Sequence, residues 1–453
     1  MISRLLQMLD ESKCNFWAVE VVKRELLAKG FSELKEADEW KLEPGGCYFV
    51  EKNGTAIFAL KVGKEDLRSA GARIISAHTD SPCFKLKPNC EIYGDGGVVS
   101  LNVEKYGGGI MYTWFDRPLS MAGRVSIANQ EDPLHPITVI LDFKQPIATI
   151  PHLAIHFNRA VNEGNPLSVQ KDMKPVVGYF NPEQIEEFKR NGGVIRSKIL
   201  EHINSGNCHV EDSMGQLISD RKITADDLID YELSLYPCEP AGLVGLEHEY
   251  FQSARIDDLS MAFAGLEAML DTADSECNST GILALFDNEE TGSATKQGAH
   301  SPVLRHILER ICAVQNPGDA QAFHRAIAHS FMISADDAHG WHPNYNEKYD
   351  PTNHPVLGGG PVVKINANCK YMTDSDGASV FRQLCKKAGV GCQYFVNHAD
   401  VAGGSTLGNI SSVQLDIRGV DVGNAIWAMH SARETAAVSD HIDMVKVLTE
   451  FLK

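Results

Sequence analysis

Ionisable side chains recur in this chain at one kind of place, directly after a short apolar run. His78 and Asp80 follow RIISA, Glu289 and Glu290 follow ILALF within DNEE, and Asp336 follows FMISA. In an open parallel sheet the carboxyl ends of the strands share one edge, and ligands bind in the crevice outside it. If these runs are strands of one sheet, they bring histidine and carboxylate groups to the same edge.

A fourth acidic cluster, Asp257-Asp258, opens an amphipathic helix close to a predicted strand end. Each cluster alone has a structural explanation: Asp257-Asp258 could cap the helix, and Glu289-Glu290 could be a solvated loop. Together they indicate more, because adjacent carboxylates repel and a buried charge must be offset by a metal or another cation. Two adjacent glutamates can also divide their roles, one ligating a metal and the other acting as a free base.

The elements that would position these residues follow an α/β pattern. The first segment predicts a helix with Ser12 as its N-cap and Gly30 after its end, and short strands follow it. Residues 86–240 are β-rich and turn-separated, and beyond them apolar strands alternate with amphipathic helices. The sequence therefore predicts an α/β domain, residues 1–85 and 241–453, with a mostly parallel sheet and flanking helices. Residues 86–240 would form an inserted β-rich domain.

The composition excludes several function classes. The chain has 60 acidic and 42 basic residues, a net charge of -18, which disfavours nucleic acid as a partner. It has no long apolar stretch and no signal-peptide pattern at its start, which predicts no membrane partner. Its eleven cysteines form no C-x-x-C pair, which is typical of reduced thiols in a cytoplasmic protein.

Seven stretches make the chain resemble the M18 aspartyl aminopeptidase family, a group of two-metal aminopeptidases with an α/β catalytic domain. They occur in the family's order over nearly the whole chain, and any one of them alone would be a weak signal. The stretches are HTDSPC at 78–83, PHLAIH at 151–156, ARIDDLS at 254–260, DNEETGS at 287–293, SADDAHGWHPNY at 334–345, KINANCKY at 364–371 and AMHSARE at 428–434.

The resemblance implies two divalent metal ions per chain, with Asp257 as the carboxylate that bridges them. His78 and Asp336 would complete one site, and Glu290 and His430 the other. A set of histidines and carboxylates without thiolates suits Zn²⁺ and also admits Mn²⁺ or Co²⁺.

The same resemblance assigns roles around the metals. Glu289 would be the general base that takes a proton from the attacking water and passes it to the leaving amine. Asp80 would orient His78 and raise its basicity. The metals would also bind the free α-amine of a peptide, which would make the protein an exopeptidase.

Selectivity for acidic N-terminal residues follows from the resemblance alone. The excess negative charge of the chain would repel an acidic substrate, so this selectivity needs a local cation. Lys364 matches the family's position for that cation, with His339 and Tyr371 beside it. Two residues depart from the pattern: Lys370, where we expect arginine, and Asp337, where relatives often have an apolar residue.

His156, within PHLAIH, lies in the inserted β-rich region, far in sequence from the metal ligands. In the family this histidine approaches the substrate through oligomer contacts. The resemblance therefore implies a homo-oligomer, in which dimers form through the inserted domain and assemble into tetrahedral dodecamers. Enclosure in such a particle would restrict the substrates to peptides.

Other functions remain open from the sequence. The nearest are a two-metal aminopeptidase of broad specificity and a deacylase of N-acyl amino acids. Outside enzymes, the chain could be an inactive assembly or binding homologue, although all proposed ligands and the proposed base are present.

Overall fold

The structure is a computed structural model that describes residues 1–207 and 222–453. Internal packing divides the chain into two units. Met1–Ser81 and Ala241–Lys453 form one, which we call the α/β unit, and Pro82–Pro240 forms the other, the inserted unit.

The α/β unit begins with two helices, followed by three strands, a short helix and a fourth strand. They are α1 Ile2–Glu11, α2 Asn15–Ala28, β1 Ser32–Glu33, β2 Cys47–Lys52, β3 Ala56–Lys61, α3 Leu67–Ala70 and β4 Ala72–His78. The helix predicted before Gly30 is present as α2, but the prediction that Ser12 is its N-cap is wrong. The amide of Ser12 donates to the carbonyl of Met8 and so ends the first helix, and Cys14 is the N-cap of the second.

The inserted unit is built on an antiparallel sheet. Its elements are β5 Cys83–Tyr93, β6 Val98–Tyr106, β7 Leu119–Ile127, β8 Ile137–Asp142, α4 Val169–Asp172, β9 Val176–Tyr179, α5 Pro182–Arg190, α6 Val194–His202 and β10 Leu228–Pro237. The six strands lie in the order β8-β7-β10-β5-β6-β9. Helix α5 begins with a capping box between Asn181 and Gln184 and has Pro182 in its first turn.

The second part of the α/β unit alternates strands and longer helices. They are β11 Gly242–Val244, β12 Tyr250–Ser253, α7 Ile256–Thr272, β13 Thr280–Phe286, α8 Val303–Gln315, α9 Ala322–His329, β14 Phe331–Ala335, β15 Ala338–His339, β16 Val362–Lys364, α10 Ser375–Ala388, β17 Gln393–Phe395, α11 Leu407–Leu415, β18 Gly419–Gly423, β19 Ala425–Trp427, β20 Glu434–Ala437 and α12 Val438–Leu452. Among the described residues, no helix is both long and apolar enough to cross a membrane.

A nine-stranded sheet forms the centre of the α/β unit, in the order β1-β2-β3-β13-β4-β14-β18-β16-β17. The central strands β13, β4, β14 and β18 are all parallel to their neighbours in this group. Antiparallel pairs occur further out, where β3 meets β2 and β13 and where β16 meets β18. This mixed sheet with flanking helices confirms the α/β prediction.

Alternate side chains of the central strands enter two apolar cores, one on each face of the sheet. On one face, Ile75 and Leu283 pack with α1, α2, α7, α10 and α12. On the other, Ile74 and Ile282 pack with α8, α9 and α11. Because both faces are covered, every residue of β13 is buried, which is typical of a central parallel strand.

A second sheet of five strands, in the order β11-β12-β20-β19-β15, belongs to the same unit. The sequence analysis did not separate these short strands from the large sheet. Strand β12 leads into α7 and β20 leads into α12, so this sheet fixes where both helices begin.

His441, in the first turns of α12, is fully buried, and neither nitrogen of its ring has a hydrogen-bond partner among the described residues. Burial, with a smaller contribution from the N-terminal ammonium, lowers the pKa of His441 to about 4. The folded protein therefore favours the neutral ring, whereas the unfolded chain takes up a proton near the ordinary pKa of 6.5. Above that pH the titration of His441 does not affect the free energy of unfolding. As the pH falls from 6.5 towards 4, protonation of the unfolded chain lowers this free energy.

We expect a His441→Leu variant to lose less stability in acid than the wild type, because the side chain no longer takes up a proton on unfolding. The difference in free energy of unfolding between about pH 7.5 and about pH 5 should shrink by about 2 kcal/mol. Urea denaturation of the metal-free proteins at both pH values measures this. His306→Leu, at an exposed position of α8, is the control and should keep the wild-type dependence. An unchanged dependence in His441→Leu would contradict the prediction.

Candidate active site

The ends of three adjacent parallel strands bring proposed site residues to one edge of the large sheet. His78 is the last residue of β4, and it pairs with Phe286, the last residue of β13. A single turn of 3₁₀ helix beginning at Glu289 follows β13 closely, and Asp336 directly follows β14. The shared edge predicted from the sequence is thus present in the fold.

Asp257 reaches the same place from the start of α7. Asp257 and Asp258 have non-helical backbone angles, and the side chain of the N-cap residue, Arg255, makes no capping hydrogen bond. Gly265 lets the helix lie close to the sheet, since a Cβ there would lie 2.6 Å from a methyl group of Leu283. The carboxylate of Asp257 therefore points to the strand ends and does not cap the helix.

His78, Asp257 and Glu290 each offer a ligand atom, and these atoms lie within 4.8 Å of one another. His430 adjoins them: its Nε2 lies 3.3 Å from Asp257 Oδ2 and 3.3 Å from Glu290 Oε1. Four of the five proposed ligands therefore form one compact group.

Asp336, the fifth proposed ligand, is held by a lysine. Its Oδ1 accepts a hydrogen bond of 2.9 Å from Lys364 Nζ, which also donates to the main-chain carbonyl of Asp337 at 3.2 Å. Asp336 still acts electrostatically on the group, because its charge helps to raise the pKa of Glu289. Lys364 is 2% exposed, so the contact is a buried ion pair.

Asp80 organises the neighbouring residues through two kinds of contact. Its main-chain carbonyl lies 3.0 Å from Nδ1 of His78, which directs Nε2 of that ring towards Asp257. Its carboxylate accepts the amides of Glu289 and Glu290, each at 3.1 Å. The role predicted for Asp80 concerned His78 alone, and the structure adds the anchoring of the two glutamates.

For Asp257 and for His78, burial and the neighbouring charged groups shift the pKa in opposite directions, and the neighbouring groups have the larger total effect. Burial alone would raise the pKa of Asp257, but contacts with His430 and His78 hold it below its ordinary value. Burial alone would lower the pKa of His78, but Asp258, Asp257 and Asp80 raise it well above that of a free histidine. The carboxylate of Asp257 thus stays charged between two imidazoles.

The surroundings of Glu289 raise the pKa of its carboxyl group. Burial, and then the negative charges of Asp336, Asp257 and Asp80, raise the pKa of Glu289 to about 8, while His78 opposes the shift. A divalent cation in the group would lower this value. A carboxyl group whose pKa lies near neutrality is suited to both accepting and returning a proton.

The proposed substrate-binding residues of the α/β unit surround Lys364. Its Nζ lies 5.5 Å from the centroid of the Tyr371 ring. Burial, followed by the charge of Lys364, lowers the pKa of His339, whose ring lies 5.7 Å from that of Phe395. The structure therefore brings Lys364, Tyr371 and His339 together.

His156 lies in the inserted unit, in an exposed turn. The apolar side chains beside it, Leu153, Ile155 and Phe157, are also exposed. The predicted role of His156 depends on a second copy of the chain and stays a prediction.

Two further acidic residues contact the group: Glu434, which was not singled out from the sequence, and Asp258, which was named there only as part of the Asp257-Asp258 cluster. Glu434, in β20, accepts the amides of Asp257 and His430. Asp258 accepts the amide of His78 at 3.0 Å. The sequence gives no distinct signal for Glu434, because it opens a short strand between the polar residues Arg433 and Thr435.

The group has the properties of a site for divalent cations. Asp257 Oδ1 and Glu290 Oε1 are buried and have no hydrogen bond of acceptable geometry within the described residues, although histidine nitrogens lie 3.4 and 3.3 Å away. Buried acceptors without donors, next to imidazole, are the ligands that Zn²⁺ takes in proteins. Such a group at the carboxyl edge of an α/β sheet defines a metal-dependent enzyme.

Comparison with known protein families identifies the family of metal-dependent enzymes to which this chain belongs. The family model described as "Aminopeptidase I zinc metalloprotease (M18)" matches residues 8–452. The chain therefore belongs to the M18 family of zinc aminopeptidases.

Relatives and solved structures agree with this assignment. The chain is 42% identical over 449 residues to a probable M18 family aminopeptidase 2 of Clostridium novyi, covering 99% of this chain and 98% of the relative. A protein of the same description from Pseudomonas aeruginosa is 40% identical, with 99% and 96% covered. A cryo-EM structure of the Ape4 and Nbr1 complex matches with a TM-score of 0.91 at 33% identity, covering 99% of this chain and 85% of that one. The crystal structure of prApe1 matches with a TM-score of 0.87 at 25% identity, with 99% and 94% covered.

Proposed function

We propose that this aminopeptidase removes aspartate, and also glutamate, from the N-termini of peptides, using two divalent metal ions. The observation that carries the choice of substrate is the buried cation Lys364 beside an otherwise acidic site. An ammonium has three donors, and Asp336 and the carbonyl of Asp337 take two of them. Within the described parts of the chain, one donor of Lys364 is therefore left for the carboxylate of a substrate side chain.

The five proposed ligands would hold the metals, with Asp257 between His78 and His430. Zinc ions bound there would polarise the scissile carbonyl and lower the pKa of a water molecule. A carboxylate oxygen of Glu289 accepts the proton of the attacking water and then returns it to the leaving amine nitrogen. Asp80 keeps Glu289 in place by accepting its main-chain amide.

We also propose that the chain acts as a homo-oligomer in the cytoplasm, with residues 86–240 as its dimerisation domain. One structural neighbour is the dodecamer of Saccharomyces cerevisiae mApe1, which matches with a TM-score of 0.82 at 24% identity. The exposed apolar side chains beside His156 suit a contact with a second copy. Light scattering on the purified protein measures the number of chains.

A panel of peptides tests the proposed reaction. We expect rapid release of Asp and Glu, slow release of Leu, and no cleavage of an N-acetyl-Asp peptide, since the free amine is required. A chelator should abolish release, and zinc should restore it. Equal cleavage of blocked and free Asp peptides would indicate a deacylase, and equal release of Leu and Asp would indicate a broad aminopeptidase.

Replacing Glu289 with Gln should reduce turnover by about 100- to 10,000-fold, because the amide cannot accept the proton of the attacking water. The bound metal, measured by elemental analysis, should stay at the wild-type level. Glu347→Gln, at an exposed position of the same unit, serves as the control. Full activity in Glu289→Gln would exclude this residue as the base.

Replacing Lys364 with Met should reduce kcat/KM for Asp peptides by about 10- to 100-fold, because a charge-assisted hydrogen bond to the substrate is lost. The value for Leu peptides should change much less. Lys386→Met is the matched control, since Lys386 lies exposed on α10 of the same unit and outside the proposed site. A parallel loss for both substrates would show that Lys364 supports Asp336 and does not select the substrate.

A further inference from the structure

Glu434 connects two proposed metal ligands that are far apart in the sequence. Its side chain is buried at the start of β20, with 1% of its surface exposed. Oε2 accepts the main-chain amide of Asp257 at 3.1 Å, and Oε1 accepts that of His430 at 2.7 Å. Both oxygens therefore face main-chain amides.

The backbone at both ligands lies outside regular structure. His430 has a φ of +66°, in the left-handed region, within the loop before β20. Asp257 precedes the regular part of α7, with φ -75° and ψ 108°. The pairing of β12 with β20 ends at Ser253 and Glu434, and beyond it the carboxylate of Glu434 joins the backbone of Asp257 to that of His430.

We infer that Glu434 is a positioning residue that sets the separation of Asp257 and His430 and thereby the affinity for metal. This role rests on the metal-binding part of the proposed function and is independent of the substrate. Residues that hold metal ligands in place commonly change metal affinity by about 10- to 100-fold when they are replaced. We expect an effect of that size here.

The chemistry of the contact requires a carboxylate. A glutamine has one acceptor oxygen, and its NH₂ group would face a main-chain N–H in place of the second acceptor. Glu434→Gln therefore keeps one hydrogen bond and loses the other. Glu434→Asp keeps the charge, but its side chain is one methylene shorter, so it reaches only one amide well.

Zinc titration of metal-free protein against a competing chromophoric chelator tests the inference without any measurement of turnover. We expect both Glu434 variants to bind zinc about 10- to 100-fold more weakly than the wild type. Circular dichroism shows whether each variant folds. If one of the two variants misfolds, the zinc affinity of the other tests the inference. Thr435→Val, next to Glu434 in β20, is the matched control. It removes the hydrogen bond that Thr435 accepts from Gln252 of β12 and changes no contact to a proposed ligand.

Asp257→Asn, which alters a proposed ligand itself, separates the possible failures. If Asp257→Asn weakens zinc binding while the folded Glu434 variants bind zinc as Thr435→Val does, the positioning role is overturned and the metal site stands. If Asp257→Asn binds zinc as the wild type does, the proposed metal site is wrong, and the role of Glu434 is overturned with it.

Discussion

Negative charge is concentrated in the interior at the carboxyl edge of the large sheet, where carboxylates from several segments lie within reach of one another. Burial and mutual repulsion raise the pKa values of Asp258 and Asp337 well above the ordinary value for aspartate. Such a cluster is stable only if cations, imidazoles or amide groups offset the charge. His78, His430 and Lys364 supply part of that compensation, and a zinc metallopeptidase supplies the rest with its metal.

Main-chain amides provide a second layer of compensation, and they also fix geometry. Three carboxylates outside the ligand set each accept the amide of at least one proposed ligand from another segment, and Glu434 also accepts the amide of His430 in its own segment. The pairs are Asp258 with His78, Asp80 with Glu290, and Glu434 with both Asp257 and His430. The same hydrogen bonds therefore do two things. They offset the negative charge of the buried carboxylates, and they fix the backbone of the proposed ligands.

Much of the site could be predicted from the sequence because it depends on strand ends. His78, Glu290 and Asp336 follow apolar runs, and the rule that parallel strands end at one edge places them together. The role of Glu434 could not be found in this way, since β20 belongs to a second sheet of short strands that have no distinct pattern. The pairing of Lys364 with Asp336 was also hidden, because such a contact depends on the adjacency of β14, β18 and β16 in space. Ser12 was misread because the segment holds two helices, and Ser12 lies between them at the end of the first.

The insertion after Ser81 has a consequence for the order in which the protein acquires its function. His78 is synthesised before the inserted unit, whereas His430 and Glu434 are synthesised after it. One of the five proposed ligands is therefore synthesised before the inserted unit, and the other four are synthesised after it. A chain that stops within the inserted unit would lack four of the five proposed ligands and could not form the proposed metal site.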